Sequence, residues 1–233
     1  MIELHVWPTP NGLKISIMLE ECNLPYKAIP VDIRIGDQFK PDFLKISPNN
    51  KIPAIIDTEG PDGKAVAVFE SGAILMYLAD KCGLFLPKDT AERYQVIQWL
   101  FFQMASVGPM FGQFNHFTGD VAPELPYAIN RYANESNRLM GVIDRRLQEA
   151  SYIAGDYSIA DMAIFPWVRS YTRKTKNLGD FPNAKRWFNA VDARPAVKRG
   201  LELLATEREA AAMLGMTDQA REILYGSLQY QRR

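Results

Sequence analysis

The sequence predicts an α/β domain followed by an all-helical domain. Three observations carry that prediction. Over residues 1–83 short strand patterns alternate with helical ones, after residue 89 the strand signals vanish, and the composition shifts between the two stretches. The chain has 233 residues, 47% of them hydrophobic, which is enough apolar material for a sizeable core without disulfide support.

Residues 2–6 (IELHV) alternate apolar and polar side chains, the period of a strand. The turn Pro8-Thr9-Pro10-Asn11-Gly12 follows. Apolar residues then recur at Ile15, Met18, Leu19 and Cys22 with helical spacing, until Asn23-Leu24-Pro25 stops the helix. Residues 26–31 read as a second strand, so the opening is a βαβ unit with parallel strands and a right-handed crossover. Residues 37–47 form a polar loop with a short helix, PDFLKI. Lys51-Ile52-Pro53 leads into a third strand, AIID. Gly60, Asp62 and Gly63 mark a hairpin turn before a fourth strand at 65–69. Ser71 opens a helix that carries Ile74, Leu75 and Leu78, and Gly83 closes it. The order βαβ, loop, ββα gives a four-stranded mixed sheet covered by helices, which is a thioredoxin-like arrangement over residues 1–84.

Residues 85–89, with Pro87, read as a linker. Residues 90–233 form the all-helical domain, with helical periodicity over 90–117, 125–150, 158–172, 181–193 and 195–214. The tail, 217–233, reads as one more short helix and a frayed end.

The 27 basic and 27 acidic residues cancel, and no half of the chain is a basic block, so nothing in the composition calls for nucleic acid. Arg169, Arg173, Lys174 and Lys176 read as a solvated helix face. Cys22 and Cys82 form no CxxC motif and no metal-ligand spacing, and they read as buried structural thiols. Low cysteine use fits a reducing compartment. The N-terminus lacks the pattern of a signal peptide, and no window reaches the ~18 apolar residues of a membrane span. The expectation is a cytoplasmic protein without membrane or metal.

Four places could carry chemistry. In thioredoxin-like folds the first strand-to-helix turn holds the redox group, yet Thr9-Pro10-Asn11-Gly12 contains no Cys, Ser or Tyr. Any thiol acting there must arrive with a ligand, with Thr9 Oγ1 and the Asn11 amide as donors and the helix N-terminus adding favourable partial charge. A polar turn that only caps a helix fits the same residues. Ile52-Pro53 precedes a strand, where a cis proline leaves the preceding backbone able to pair with an extended peptide. Glu70-Ser71 fits a Ser N-cap beside an acid, and equally a helix terminus that receives a ligand's carboxylate while Glu70 takes an amine. His116, in Phe114-Asn115-His116-Phe117, fits either a pocket wall or aromatic helix packing. Ser158-Ile159-Ala160-Asp161 is a capping box with a structural role.

Several segments together resemble the glutathione S-transferase superfamily across essentially the whole chain. ISPNNKIPAI (46–55) and FESGAILMYLA (69–79) mark the superfamily, with YSIADMAIFPWV (157–168) in the helical domain. WPTPNGLKISIMLEE (7–21), GDQF (36–39), QWLFFQ (98–103), GPMFGQ (108–113) and PYAINRY (126–132) resemble the nu class and its relatives, bacterial disulfide-bond reductases and the globular domain of a fungal nitrogen-regulator prion protein.

The resemblance implies a homodimeric, glutathione-dependent reductase of small or glutathione-linked disulfides, with one or two glutathiones per site. It implies that Thr9 and Asn11 face the glutathione sulfur, that Gln38 and Lys51 meet the glycyl end, and that Ile52, before cis Pro53, pairs with the cysteinyl moiety. Glu70 and Ser71 would hold the γ-glutamyl end, and Arg131 would reach in from the helical domain. Phe111, Phe114, His116 and Phe117 are candidates for a second pocket. The alternatives are conjugation of glutathione to electrophiles and a non-catalytic glutathione-binding regulator. The chain lacks the Asn/Gln-rich extension that would suggest a prion-like role.

Overall fold

The computed structural model describes residues 1–119 and 124–231. Packing groups them into two units, Met1–Ile74 with the segment from Arg199 onward, and Leu75–Lys198.

In the first unit, β1 (Ile2–Val6), α1 (Pro10–Glu21) and β2 (Tyr26–Pro30) make the opening βαβ, with β1 and β2 parallel and Ile2 opposite Tyr26. After α2 (Pro41–Ile46), β3 (Ala54–Asp57) runs antiparallel to β1, with Ala54 opposite His5. A 3₁₀ turn at Pro61–Gly63 returns the chain as β4 (Val66–Phe69), antiparallel to β3 with Phe69 opposite Ala54. The sheet order is β2-β1-β3-β4, mixed as the sequence predicts. One residue after β4 the helix α3 (Ser71–Cys82) begins.

This topology decides where a site can form. β1 and β4 both end beside the residue that starts β3, so α1 and α3 begin at the same edge of the sheet. Thr9 caps α1 in extended conformation, its Oγ1 accepting from Gly12 N at 3.4 Å, and Pro10 takes the first helical position. Gly12 is required by space, because a Cβ there would run into Trp7 O and the Val6 side chain. From Gly12 to Leu19 every residue of α1 is buried.

The segment from Arg199 onward contributes to that burial. Gly200 packs so closely on Ile17 that a Cβ would meet its backbone at 2.8 Å, and Ser16 Oγ donates to Gly200 O at 2.8 Å. The single helical stretch expected over 195–214 is instead two helices, α9 (Pro195–Leu201) and α10 (Ala205–Leu214). Between them Leu204 adopts φ +47°, Leu203 is buried, and Arg208 Nη1 donates to the Leu201 carbonyl at 2.8 Å. α11 (Asp218–Tyr225) starts at the Thr217 cap and is followed by a 3₁₀ turn at Ser227–Tyr230. The expected frayed end reaches Arg232 and Arg233, which lie outside the described residues.

The second unit contains α4 (Thr90–Phe102), α5 (Gly108–Phe117), α6 (Pro126–Glu149), α7 (Ile159–Thr175) and α8 (Pro182–Asp192). A π-helical turn at Gln103–Val107 divides α4 from α5. Pro109 just beyond has no N–H to return to the preceding turn, which favours that wider spacing. α7 begins with the predicted capping box. The fully buried Asp161 carboxylate accepts from Ser158 N and Ile153 N, each at 3.0 Å, and from Trp187 Nε1 at 2.7 Å. Burial pushes this carboxyl up to about 6, against hydrogen bonds that pull it down. Among the described residues no helix is long and apolar enough to cross a membrane.

Candidate functional site

At the sheet edge where α1 and α3 begin lies a groove of about 160 Å³, lined by Asn11, Ser47, Asn49, Lys51, Ile52, Pro53, Phe69, Glu70 and Ser71. Six of the residues singled out in the sequence therefore come together: Asn11, Lys51, Ile52, Pro53, Glu70 and Ser71.

The loop before β3 is fixed by its own hydrogen bonds. Ser47 Oγ donates to Lys51 O at 2.8 Å, and Asn50, at φ +48°, donates its N–H to Ser47 O at 2.9 Å. Asparagine is among the few residues that tolerate this left-handed conformation. The Ile52 side chain packs toward Val31, Phe43 and Ala54, and the Ile52-Pro53 bond is cis, as expected. At the rim, Lys51 Nζ donates to Gln229 Oε1 at 3.0 Å, so the C-terminal 3₁₀ turn meets the groove.

On the opposite wall the Ser-cap reading needs correction. Ser71 is the first residue of α3, and Glu70 holds the cap position, its carbonyl accepting from Ile74 N at 2.9 Å. Glu70 sits at φ +68°, a conformation uncommon for a residue with a long side chain, and its side chain is exposed while Ser71 is buried.

Behind Ser71 stands Lys14, which sequence reasoning passed over. It is 1% exposed, and its Nζ donates to Ser71 Oγ at 3.1 Å. Burial pushes its ammonium down to about 7, while the Glu70 carboxylate pulls it up. The one available signal was a lone charge inside the apolar run Leu13–Leu19, four residues after the helix start.

The remaining candidates lie elsewhere. Thr9 serves as the α1 cap next to Asn11 but does not line the groove. Gln38 is buried in its own loop, its Nε2 donating to Ile33 O at 3.1 Å and its Oε1 lacking a partner among the described residues. Arg131 is exposed on α6 in the second unit, beside a shallow cavity it shares with Tyr127, Asn130 and Glu135. Phe111 is fully buried against Tyr171, 5.1 Å between rings, and has no surface with which to line a pocket. Phe114 also packs on Tyr171, Phe117 stacks on Tyr132, and His116 meets Phe117 edge-on, which is the aromatic packing the sequence offered as an alternative. A larger cavity of about 530 Å³ in the second unit, between 83–88 and 154–158, contains none of these candidates.

Among the described residues no sulfur lines the groove. Cys22 caps the C-terminal end of α1 and Cys82 ends α3, and both are half-buried rather than buried as expected. The helical rise puts each roughly 15–20 Å along its helix from the end that borders the groove. What the groove offers is two helix N-termini, an ammonium at one rim, a carboxylate at the other, and the backbone at Ile52 between them. That pattern suits a short extended peptide with a carboxylate at each end and an amine at one.

Two family profiles match the chain: Glutathione S-transferase, N-terminal domain, over residues 9–81, and Glutathione S-transferase, C-terminal domain, over residues 130–195. The chain is 49% identical over 203 residues to the disulfide-bond oxidoreductase YfcG of Escherichia coli K12, covering 86% of this chain and 94% of that protein. It is similar to a glutathione transferase family member from Pseudomonas fluorescens solved with two glutathiones bound, with TM-score 0.82, 49% identity, and coverage of 87% of this chain and 92% of that one. A glutathione transferase from Pseudomonas putida, solved with one glutathione disulfide per subunit, matches with TM-score 0.81 and 48% identity, covering 87% and 91% of the two chains.

Proposed function

Because this chain belongs to the glutathione S-transferase family, we propose that it is a glutathione-dependent disulfide-bond reductase acting on small or glutathione-linked disulfides. The observation that carries the proposal is the groove itself, which has peptide-binding polarity and, among the described residues, no sulfur in its lining. The similarity to a disulfide-bond oxidoreductase and to a structure holding glutathione disulfide supports the same reading.

Glutathione lies along the groove with its γ-glutamyl end at Glu70 and Ser71, its cysteinyl backbone on Ile52 before Pro53, and its glycyl carboxylate toward Lys51, with Gln38 in the neighbouring loop. Its sulfur is then directed to the start of α1. Thr9 Oγ1 accepts from Gly12 N, which leaves its own proton to donate outward, and the Asn11 amide lines the groove beside it. These donors and the helix N-terminus stabilise a thiolate.

The thiolate attacks one sulfur of the substrate disulfide, forming a mixed disulfide and releasing the other sulfur as a thiolate that takes up the first glutathione's proton. A second glutathione thiolate attacks the glutathione sulfur of the mixed disulfide. Glutathione disulfide forms, the second substrate thiol leaves with the second proton, and two glutathiones have supplied the two electrons. The chain contributes position and charge stabilisation. Arg131 is assigned to the second glutathione, and Phe114, His116 and Phe117 to the wall met by the substrate.

The functional division we assign is glutathione binding by residues 1–84 and substrate selection by 90–233, in a homodimer whose contact includes the exposed Tyr94 and Phe101 of α4. We assign the protein to the cytoplasm, a reducing compartment in which reduced glutathione can serve as the thiol. Turnover of a small disulfide with glutathione, set against turnover of an aromatic halide with glutathione, tests the proposal. Disulfide reduction well above conjugation is expected, and the reverse order overturns it.

A further inference from the structure

Lys14 is a charged side chain in the interior of the first unit. It lies in the part of α1 that is buried throughout, and it is 1% exposed itself. An apolar residue would fill the same space without the desolvation penalty of a buried ammonium.

Its direction is informative. Nζ is 3.1 Å from Ser71 Oγ. An ammonium only donates, so the serine oxygen is the acceptor, and the serine's one proton must point away from Lys14. Ser71 borders the groove, so a carboxylate bound there meets a hydroxyl polarised by the cation behind it.

The charges at this end of the groove require such a partner. The exposed Glu70 carboxylate suits a ligand amine, but it repels a carboxylate carried on the same carbon. The γ-glutamyl end of glutathione is an amino acid head with both groups. A site that binds it must supply positive charge within reach of the carboxylate without neutralising Glu70 from the solvent side. Lys14 meets that condition, since it stands beneath Ser71 and within electrostatic range of Glu70.

Resting on the glutathione reading above, we propose that Lys14 is a positioning residue for the γ-glutamyl group, orienting the Ser71 hydroxyl toward the α-carboxylate and supplying its buried counter-charge. Glu70 and Lys14 then divide the head group between them, one for the amine and one, through Ser71, for the carboxylate. Lys14 thereby sets the preference for a γ-glutamyl peptide over one that lacks the carboxylate.

The test is a binding comparison by calorimetry on wild type and Lys14→Met. The ligands are glutathione and γ-aminobutyryl-cysteinyl-glycine, which keeps the amine and lacks only the carboxylate. Lys14→Met should weaken glutathione roughly tenfold or more and change the analogue by less than about twofold. Equal weakening of both ligands means a structural role and overturns the proposal. Wild type that binds neither ligand at millimolar concentration would instead remove the glutathione reading beneath it. Should Lys14→Met fail to fold, ¹³Cε titration of Lys14 in the wild type decides. Its pKa should rise by about one unit or more on adding glutathione and stay in place on adding the analogue. No rise with glutathione overturns the proposal.

Discussion

Replacing Lys14 by methionine should make the ligand-free protein more tolerant of neutral pH than the wild type. Burial holds the Lys14 ammonium down to about 7, against 10.5 for the unburied group. Between those two values the unfolded chain binds more protons than the folded one, so wild-type stability rises as pH rises, and the penalty is fully present below about 7. One proton contributes a slope of at most about 1.4 kcal/mol per pH unit, which amounts to roughly 2 kcal/mol between pH 7 and pH 9. Methionine fills a similar volume and does not titrate. It forfeits the donor to Ser71 Oγ, a loss of about 1 kcal/mol that does not vary with pH. Urea unfolding of both proteins at pH 7, 8 and 9 measures the effect. Taking the difference cancels other titrating groups, including Tyr26, whose hydroxyl burial pushes up to about 12. The advantage of Lys14→Met over wild type should shrink by about 2 kcal/mol across this range. A difference that is flat with pH would refute the reasoning, because it would mean that the ammonium reaches water and titrates normally.

Three further outcomes follow from the same geometry. Asn11→Ala should lower kcat roughly tenfold or more while shifting unfolding free energy by less than about 1 kcal/mol; unchanged turnover would leave the turn as a helix cap only. Gly12→Ala should destabilise the fold by about 2–3 kcal/mol, read by thermal unfolding, because the added methyl has no room between Trp7 O and Val6. Gln229→Ala should lower the KM for glutathione by about two- to fivefold without changing the melting temperature, since Gln229 occupies the Lys51 ammonium that the glycyl carboxylate needs; an unchanged KM would separate the tail from the site.

The strands, the hairpin and the starts of α1 and α3 were legible because each depends on local pattern and punctuation: alternation in IELHV, Pro-Asn-Gly after Thr9, Gly-Pro-Asp-Gly before β4. The motifs at 46–55 and 69–79 located both walls of the groove for the same reason. Lys14 was not legible, because its meaning depends on the convergence of two helix starts, which brings it to Ser71, 57 residues further along the chain. The break at Leu204, where the backbone turns to φ +47° and Leu203 is buried, was hidden by helical periodicity on both sides. Gln229 belongs to a tail with little pattern of its own, yet it reaches Lys51 across 178 residues of sequence. Phe111 and Phe117 look equivalent along α5, but only packing against Tyr171 and Tyr132 shows that one is core and the other half-exposed.

The central claim is that the reacting thiol belongs to glutathione and not to the chain. A Cys22→Ser, Cys82→Ser double variant contains no cysteine at all. Its glutathione-dependent turnover of a small disulfide should stay within about twofold of wild type, since both thiols sit at the far ends of their helices, roughly 15–20 Å from the groove. Loss of turnover in a variant that still folds and still binds glutathione would contradict the account, because a sulfur of the protein would then be part of the reaction.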